Sequence, residues 1–377
     1  MSKQIAIIGA GVIGLSAAFE CLRRGHHVTV LEKGVCGGQA SGAAAGMLAP
    51  YSENAEGADP FFKLCHASLK LYPDWAAEVK KSSGMAFEYV QSGSLNVVFH
   101  EADLLALETR KIWQNEHGAD AEIIEGAALE RMEPNLSREV AAALHYPAES
   151  HLYAPDYVKA LEIACKKLGA DIYEHAADIQ IDPSEDGVLI RFTREQSAFS
   201  VQADELILCT GAWTQEWETI FGARLPVQPI RGQICAYKNA PSFQHMVFGY
   251  QGYLVQKENG SLVCGASEDL AGFDDTITDK GIGRLLKWSR KLCPDIREEQ
   301  LYHKWAGLRP STPDGRPYIG RLSKARRVVI AAGHYRNGIL LSPVTAYMTA
   351  DLIEGKEERW DFGSFDPERF GYAAFAG

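Results

Sequence analysis

The chain has 377 residues, of which 46% are hydrophobic and 23% charged, and its formal net charge is −11. This length favours two domains over one small core, and the excess of acid argues against a general nucleic-acid-binding protein, which needs a basic face. No apolar run approaches the roughly 20 residues that span a bilayer. An apolar strand follows Lys3 directly, so we expect residues 5–8 to belong to the fold rather than to a secretion signal.

The eight cysteines are dispersed along the chain and include no Cys-x-x-Cys pair. This pattern is typical of reduced thiols that serve as small apolar side chains, so we expect a cytoplasmic protein. No spacing typical of metal ligands is present, and we therefore expect no metal site.

The N-terminal region contains a glycine pattern between two apolar strands, predicted at 5–8 and 27–31. The sequence Gly-Ala-Gly-Val-Ile-Gly at 9–14 follows the first strand and opens a helix, which is the context of a dinucleotide-binding fingerprint. Gly9 permits the tight turn, Gly11 leaves room for a pyrophosphate, and Gly14 lets the helix pack close to the strand. The helix N-terminus offers N–H groups and partial positive charge to the phosphates.

An acidic residue, Glu32, stands at the end of the second strand. Its carboxylate can accept hydrogen bonds from both hydroxyls of a ribose, and it would repel a 2′-phosphate, so NADP is disfavoured. The alternative is a tight strand–helix turn that binds no ligand. The agreement of strand, glycine spacing and acid favours the nucleotide site.

Periodicity predicts helices and strands along the rest of the chain. Helices are predicted at 61–83, 102–117, 155–168, 280–293 and 342–354. Strands are predicted at 94–99, 170–173, 188–192, 205–209 and 328–333, and antiparallel strands at 225–237 and 245–266. The first, middle and last parts of the chain each supply an apolar strand that ends at a glycine. Such strands are typical of the ligand-binding edge of a doubly wound sheet.

Three further segments stand out, at 41–48, 305–320 and 332–341. The first is a run of small residues that can form a loop lying flat against a large cofactor. The other two contain Arg309 and Arg336. Together the segments resemble the superfamily of FAD-dependent amine and D-amino-acid oxidases, and within it the bacterial glycine oxidases linked to thiamine biosynthesis. The resemblance covers essentially the whole chain.

The resemblance implies an α/β fold, α+β overall, with two domains. A discontinuous Rossmann-like FAD-binding domain is expected at 1–84, 149–218 and 308–377. A substrate-binding domain with a mainly antiparallel sheet is expected at 85–148 and 219–307.

The resemblance also implies noncovalent FAD. Related sarcosine oxidases tether their flavin through a cysteine near the aligned segment, where this chain has Gly307 and no cysteine beyond Cys293. The implied reaction transfers a hydride from the amine-bearing carbon to flavin N5. The imine then hydrolyses, and dioxygen reoxidises the flavin to give hydrogen peroxide. The implied substrates are glycine, sarcosine and small D-amino acids, and the implied assembly is a homotetramer.

Three residues are expected at the substrate. Arg309 can hold a carboxylate through two parallel hydrogen bonds; the alternative is a structural ion pair. Tyr253, at the start of an apolar strand, can donate to the same carboxylate, although a lone tyrosine is more often a packed strand residue. Arg336 can bind the substrate or a flavin carbonyl, and its alternative is a surface arginine. No side chain is expected to act as acid or base.

The residues expected at the cofactor lie in the fingerprint, in the run of small residues and at the strand ends. They are Gly9, Gly11, Val12, Ile13, Gly14, Glu32, Lys33, Ser41, Ala45, Gly46, Met47, Gly211, Trp213, Gly333, His334, Arg336, Asn337, Gly338 and Ile339. Close approach to a ring requires small residues or backbone, which the glycines provide. Met47 has the alternative of a core side chain with only its backbone at the cofactor.

Two positions depart from the family pattern. Gln251 stands where a glycine oxidase has histidine, and Glu268 stands where it has methionine. Both are expected near the entrance, where an acid should disfavour a bulky substrate with an anionic side group. The preferred substrate therefore stays open between glycine, sarcosine and a D-amino acid.

Two other classes of protein are alternatives. An FAD dehydrogenase that passes electrons to a quinone would need a membrane-binding surface, and no amphipathic basic helix is evident in the sequence. A noncatalytic nucleotide-binding module that senses redox state would not explain two arginines near the ring end of the cofactor.

Overall fold

The computed structural model of the protein describes residues 2–356 and 359–371. The strands in this part of the chain are β1 (Gln4–Ile8), β2 (His27–Leu31), β3 (Met47–Leu48), β4 (Tyr89–Val90), β5 (Ser94–Val98), β6 (Glu122–Glu125), β7 (Ala142–Tyr146), β8 (Ser150–Leu152), β9 (Asp171–Tyr173), β10 (Ala177–Pro183), β11 (Val188–Arg194), β12 (Ser197–Ala203), β13 (Glu205–Leu208), β14 (Gln228–Tyr237), β15 (Met246–Gly249), β16 (Gly252–Gln256), β17 (Leu262–Gly265), β18 (Leu301–Ser311), β19 (Tyr318–Arg321) and β20 (Val328–Ala332). The helices are α1 (Val12–Arg23), α2 (Ala40–Ala43), α3 (Pro50–Glu53), α4 (Pro60–Ser83), α5 (Leu104–Asn115), α6 (Gly126–Met132), α7 (Ala154–Lys167), α8 (Glu218–Phe221), α9 (Asp279–Leu292) and α10 (Gly338–Glu354).

A six-stranded sheet in the order β19-β20-β13-β1-β2-β9 forms the first layer. Its strands are parallel except for β19, which pairs antiparallel with β20. Helices α1, α4, α7 and α10 share one apolar core with one face of this sheet, and the three-stranded sheet β10-β11-β12 covers the other face. Burial on both faces explains why β13 and β20 are almost wholly apolar.

An eight-stranded sheet in the order β18-β14-β17-β16-β15-β5-β7-β6 forms the second layer. Its strands pair antiparallel except for β15 and β5, which run parallel. The apolar side of α9 packs on this sheet through a core that includes Leu285 and Trp288. The two layers confirm the predicted α/β class with a mainly antiparallel second sheet.

The strands of the six-stranded sheet come from residues 4–31, 171–208 and 318–332, and those of the eight-stranded sheet from 94–146 and 228–311. Strand β18 crosses the predicted boundary at residue 308. The division into domains stays a prediction, and residues 357–358 and 372–377 of its last segment lie outside the described part of the chain.

Two predicted elements need correction. The predicted loop of small residues contains the helical turn α2 and the short strand β3. The last helix begins at Gly338 rather than at residue 342, so Pro343 lies inside it. Proline cannot donate the backbone hydrogen bond to the carbonyl of Ile339. The hydroxyls of Tyr72 and Ser342 donate to that carbonyl instead, which offsets the cost of a proline inside the helix.

The other predicted helices and strands occur near their expected positions, with end points that differ by small amounts, as helix ends commonly do. None of the described helices combines the length and apolar character needed to cross a bilayer.

Candidate active site

A cavity of about 1980 Å³ lies where the carboxyl ends of the parallel strands meet the eight-stranded sheet. The sequence-predicted residues that line it are Gly9, Gly11, Val12, Ile13, Glu32, Lys33, Ser41, Ala45, Gly46, Met47, Gly211, Trp213, Tyr253, Arg309, Gly333, His334, Arg336, Gly338 and Ile339. Gly14 and Asn337 do not line it. The structure thus brings nearly all of the predicted site residues to one space.

At one end of the cavity, the glycine turn joins β1 to α1. Gly9 adopts a φ of +101°, and a Cβ built on Gly14 would lie 1.9 Å from the carbonyl oxygen of Gly9. Gly14 therefore permits close packing of the helix on the turn and does not face the cavity. A Cβ on Gly11 would meet only the Ser41 hydroxyl, at 3.1 Å, so the backbone of Gly11 is open to the cavity.

The carboxylate of Glu32 is fixed beside this turn. One oxygen accepts the backbone N–H of Ala10 at 2.7 Å, and the other accepts the N–H of Gly34 at 2.8 Å. The N-terminus of α10 opens to the same cavity as the N-terminus of α1. The two helix starts lie close together, since a Cβ built on Gly338 would be 3.9 Å from the Val12 side chain. Two helix N-termini and a fixed carboxylate fit a dinucleotide, with the pyrophosphate at α1 and the ribose at Glu32.

The middle of the cavity is bounded by backbone that has no space for larger side chains. Gly46 and Gly333 have φ values of +78° and +75°, a conformation that favours glycine. A Cβ on Gly307 would lie 2.6 Å from the Cβ of Ala43, whose carbonyl accepts the Trp305 indole N–H at 2.9 Å. A cysteine at position 307 would therefore collide with α2.

At the other end, Arg309 and Tyr253 lean over two glycines of the strands between them. Arg309 lies on β18 and Tyr253 on β16, and the intervening strands are β14 and β17. A Cβ on Gly232 of β14 would lie 2.4 Å from the Arg309 guanidinium carbon, and a Cβ on Gly265 of β17 would lie 2.4 Å from the Tyr253 hydroxyl. The two glycines leave the floor of the site free for these side chains.

The two side chains offer hydrogen-bond donors to the cavity. One Nη of Arg309 donates to the carbonyl of Ser267 at 2.9 Å, which leaves other guanidinium donors on the cavity side. Burial raises the pKa of the Tyr253 hydroxyl, an effect that the charge of Arg309 partly opposes, so the phenol stays protonated at neutral pH. A planar guanidinium and a phenol hydroxyl side by side suit a carboxylate.

Arg336 lies at the cavity between two acids. Its guanidinium is 3.1 Å from a carboxylate oxygen of Glu268 and 3.7 Å from one of Glu53. The negative charge of Glu53 raises the pKa of Arg336, while burial raises the pKa of Glu53 itself. The Tyr335 hydroxyl also donates to Glu268, at 3.1 Å. Sequence reasoning missed Glu53, because it belongs to no motif and reaches the site only through the fold.

His334 is buried next to α10, where its Nε2 lies 3.0 Å from the Thr345 hydroxyl. Burial lowers the pKa of His334 to about 3, so the ring is neutral at physiological pH. Such a side chain is a poor proton acceptor, in keeping with the expectation that it has no acid or base role.

The rim of the cavity carries mixed charge. Helix α9 carries Arg284, Lys287 and Lys291 at the cavity, while its apolar side packs on the eight-stranded sheet. Asp269, on the neighbouring loop, pairs with Arg284 at 2.8 Å. Gln251 and Glu268 both line the cavity, near the predicted entrance.

The fold and this cavity define a flavin-dependent oxidoreductase. The DAO family, described as FAD dependent oxidoreductase, matches residues 4–352, and the chain belongs to this family. FAD is accordingly its cofactor, which confirms the cofactor expected from the glycine fingerprint and the arginine segments.

Within the family, the chain is similar to glycine oxidases. It is 35% identical to the glycine oxidase of Geobacillus kaustophilus (strain HTA426) over 371 residues, which are 97% of each protein. The crystal structure of glycine oxidase from Geobacillus kaustophilus superimposes with a TM-score of 0.91 at 34% identity, covering 98% of this chain and 99% of that one. The chain is also 32% identical to the bifunctional protein ThiO/ThiG of Trichormus variabilis (strain ATCC 29413 / PCC 7937), over 94% of this chain and 53% of that protein.

Proposed function

We propose that the protein is an FAD-dependent oxidase of small amino acids, with glycine as the first substrate and sarcosine and small D-amino acids as further ones. The products would be glyoxylate or the corresponding oxo acid, ammonia or a primary amine, and hydrogen peroxide. The observation that carries this proposal is the pair Arg309 and Tyr253, which faces the same cavity as the dinucleotide fingerprint.

The chain's own residues would bind and orient the substrate. Arg309 would hold the carboxylate through parallel hydrogen bonds, and Tyr253 would donate a third. In a site shielded from water such a guanidinium–carboxylate pair contributes on the order of 1.5–3 kcal/mol in total. The apolar side chains around them, among them Ile234 and Phe248, lower the local polarity and so strengthen the pairing.

FAD would be held at the opposite end of the cavity. The N–H groups at the start of α1, with Gly11 and Ser41 nearby, would hold the pyrophosphate, and Glu32 the ribose. The backbone of Gly46, Met47 and Gly333, with the N-terminus of α10, would hold the ring. When bound, FAD supplies the acceptor for the hydride that leaves the amine-bearing carbon. The collision between a side chain at position 307 and Ala43 supports noncovalent attachment.

The binding residues also explain a preference among amino acids. A carboxylate fixed by two donors leaves one C–H bond of glycine directed at the ring. A D-side chain would leave that bond in place, whereas an L-side chain would replace it or collide with the wall.

A panel of small amines tests this proposal. The purified holoprotein should be yellow and should form peroxide with glycine, and with sarcosine and D-alanine at rates that rank its substrates. Peroxide formation with none of these would contradict the proposal. If a quinone analogue restored turnover without peroxide, the enzyme would be a dehydrogenase.

We further propose that the enzyme acts in thiamine biosynthesis, which the match to ThiO/ThiG supports. A homotetramer in the cytoplasm, with dioxygen as electron acceptor, is also proposed. Light scattering of the purified holoprotein tests the assembly, and a mass corresponding to a monomer would contradict it.

A further inference from the structure

Four charged side chains lie at the substrate end of the cavity: Arg309, Arg336, Glu53 and Glu268. The two acids differ in their surroundings. The Glu268 side chain is 49% exposed at the rim, whereas that of Glu53 is 8% exposed. The Asn337 side chain hydrogen-bonds to the Glu53 carboxyl group, but the 3.7 Å separation between Glu53 and Arg336 exceeds the length of a hydrogen bond. The two oxygens of a carboxylate accept more than one hydrogen bond, so Glu53 keeps capacity to accept another donor.

Glu53 is within electrostatic reach of every side chain expected to bind the substrate. The charges of Arg336 and Arg309 both act on its carboxyl group, and its own charge acts on the Tyr253 hydroxyl. A zwitterion whose carboxylate lies on Arg309 and Tyr253 would therefore have its amino group in the field of this buried acid.

The turn that carries Glu53 is held by a second buried acid. Glu149, fully buried, accepts the backbone N–H groups of Tyr51 and Ser52 at 2.7 and 2.8 Å. The Ser52 hydroxyl donates to the same carboxylate, and so does that of Ser94, at 2.5 Å. These four donors fix the first residues of α3, which is too short to keep one conformation alone.

The carbonyl groups of the same turn are also held by side chains. Arg110 donates to the carbonyls of Tyr51 and Ser52, the latter at 2.7 Å. The Gln114 amide donates to the carbonyls of Tyr51 and Asn54 at 2.9 and 2.8 Å. The backbone on both sides of Glu53 is thus attached to the eight-stranded sheet and to α5. We call the four residues that hold it the clamp: Glu149, Ser94, Arg110 and Gln114.

We propose that Glu53 binds the amino group of the substrate and that the clamp is what keeps Glu53 in reach of it. The inference rests on the proposed function, because it requires an amino-acid substrate whose carboxylate lies on Arg309. It makes Glu53 a specificity-determining residue, selecting amines over plain carboxylic acids. Glu149 is a positioning residue that acts through the turn.

The competing explanation is that Glu53 serves only to balance the charge of Arg336. The two explanations predict different changes in the binding of glycine and acetate when Glu53 loses its charge. Acetate has the carboxylate of glycine without its amine. Removing the negative charge of Glu53 should weaken glycine binding under the proposal but leave acetate binding equal or tighter, because acetate is an anion. If Glu53 only balances charge, glycine binding should also be equal or tighter.

The test uses holoenzyme with Glu53→Gln, the KM for glycine from peroxide formation, and the Kd of acetate from the change in flavin absorbance. We expect KM to rise about 10-fold or more, the value of a hydrogen bond to a charged group, with the acetate Kd unchanged or lower. The matched control is Glu185→Gln, an exposed carboxyl group in the turn between β10 and β11, which should change neither constant. An unchanged or lower KM in Glu53→Gln, or a loss of affinity for both ligands, would overturn the proposal.

Two further variants cover the case in which Glu53→Gln yields no folded holoprotein. Glu53→Asp keeps the charge but withdraws the carboxylate by one methylene, and Ser94→Ala removes one donor to Glu149. Each should raise KM for glycine and leave the acetate Kd near that of the wild type. An unchanged KM in both variants, or parallel losses for both ligands, would overturn the proposal. A wild-type holoprotein that binds acetate but does not oxidise glycine would instead contradict the proposed function, and this inference with it.

Discussion

The guanidinium of Arg309 covers Gly232 of the neighbouring strand so closely that a Cβ at position 232 would lie 2.4 Å from its central carbon. The contact involves the flexible end of the arginine rather than the backbone of β18. A methyl group at position 232 would therefore move the guanidinium and leave the sheet intact.

Gly232→Ala is expected to raise the KM for glycine without loss of FAD, because it displaces the donors that hold the carboxylate. Arg309→Ala removes them altogether and should raise KM by roughly 10- to 100-fold, from about 1.5–3 kcal/mol of charged hydrogen bonding. Steady-state kinetics and the flavin content of each variant measure both effects. Unchanged kinetics in Arg309→Ala would remove Arg309 from the substrate site.

The rate of glycine oxidation should rise with pH from mildly acidic to alkaline solution. Hydride removal requires the neutral amine, and the amine loses its proton as pH increases. His334 cannot produce this rise, because burial lowers its pKa to about 3 and it is already neutral throughout the range. The same rise is therefore expected in His334→Gln. A flat profile in the wild type would contradict the mechanism, and loss of the rise in the variant would assign it to His334.

Burial of His334 also predicts a loss of stability in acid. In the folded protein its pKa is about 3, below the ordinary histidine value of about 6.5, so between these pH values the unfolded chain binds more protons than the folded one. The contribution is present above about pH 6.5 and is lost as pH falls toward 3. The melting temperature of the wild type should fall more steeply than that of His334→Gln between pH 6.5 and pH 4.5. Parallel curves would show that the native imidazole titrates normally.

Two glycines of the fingerprint should respond differently to alanine. A Cβ on Gly14 would lie 1.9 Å from the backbone oxygen of Gly9, so Gly14→Ala should lower the stability of the apoprotein by about 1–3 kcal/mol. Gly11 has a φ of −73°, which alanine adopts without strain. Gly11→Ala should leave the melting temperature of the apoprotein nearly unchanged and weaken FAD binding by about 10-fold, the cost of one charged hydrogen bond. Equal effects of the two variants on stability and on FAD binding would contradict the assignment of Gly14 to packing and Gly11 to cofactor binding.

The contact between Gly307 and Ala43 offers a compensating pair. Gly307→Ala places its methyl group 2.6 Å from the Ala43 Cβ and should cost about 1–3 kcal/mol by overpacking. Ala43→Gly in the same chain removes the opposing methyl group and should restore most of the lost melting temperature and flavin content. If the double variant were no better than Gly307→Ala alone, the contact would not be the cause of the loss.

Local patterns in the sequence predicted the parts of the site that depend on neighbouring residues. The strand, glycine turn, helix and Glu32 follow one another within a short stretch, so their arrangement is set by local geometry. The segments around Arg309 and Arg336 were recognised through their resemblance to a family. The structure brings both arginines to the cavity, although their roles stay predictions.

The remaining parts depend on contacts between residues far apart in sequence. Glu53 lies in a turn whose backbone N–H groups donate to Glu149, a residue almost a hundred positions further along the chain. Gly232 and Gly265 leave space for the side chains of Arg309 and Tyr253 because the sheet order places their strands between those two residues. Helix α10 can begin before Pro343 because the Tyr72 hydroxyl, from α4, donates to the carbonyl that the proline leaves without its backbone partner. The spacing of apolar residues along the chain carries no information about such distant partners.

The most direct test of an amino-acid oxidase with this site is anaerobic addition of glycine to the yellow holoprotein, followed by admission of air. We predict that glycine bleaches the flavin absorbance, that air restores it with formation of one peroxide per glycine consumed, and that Arg309→Ala requires far more glycine for the same bleaching. A flavin spectrum that glycine, sarcosine and D-alanine all leave unchanged would contradict the proposed function.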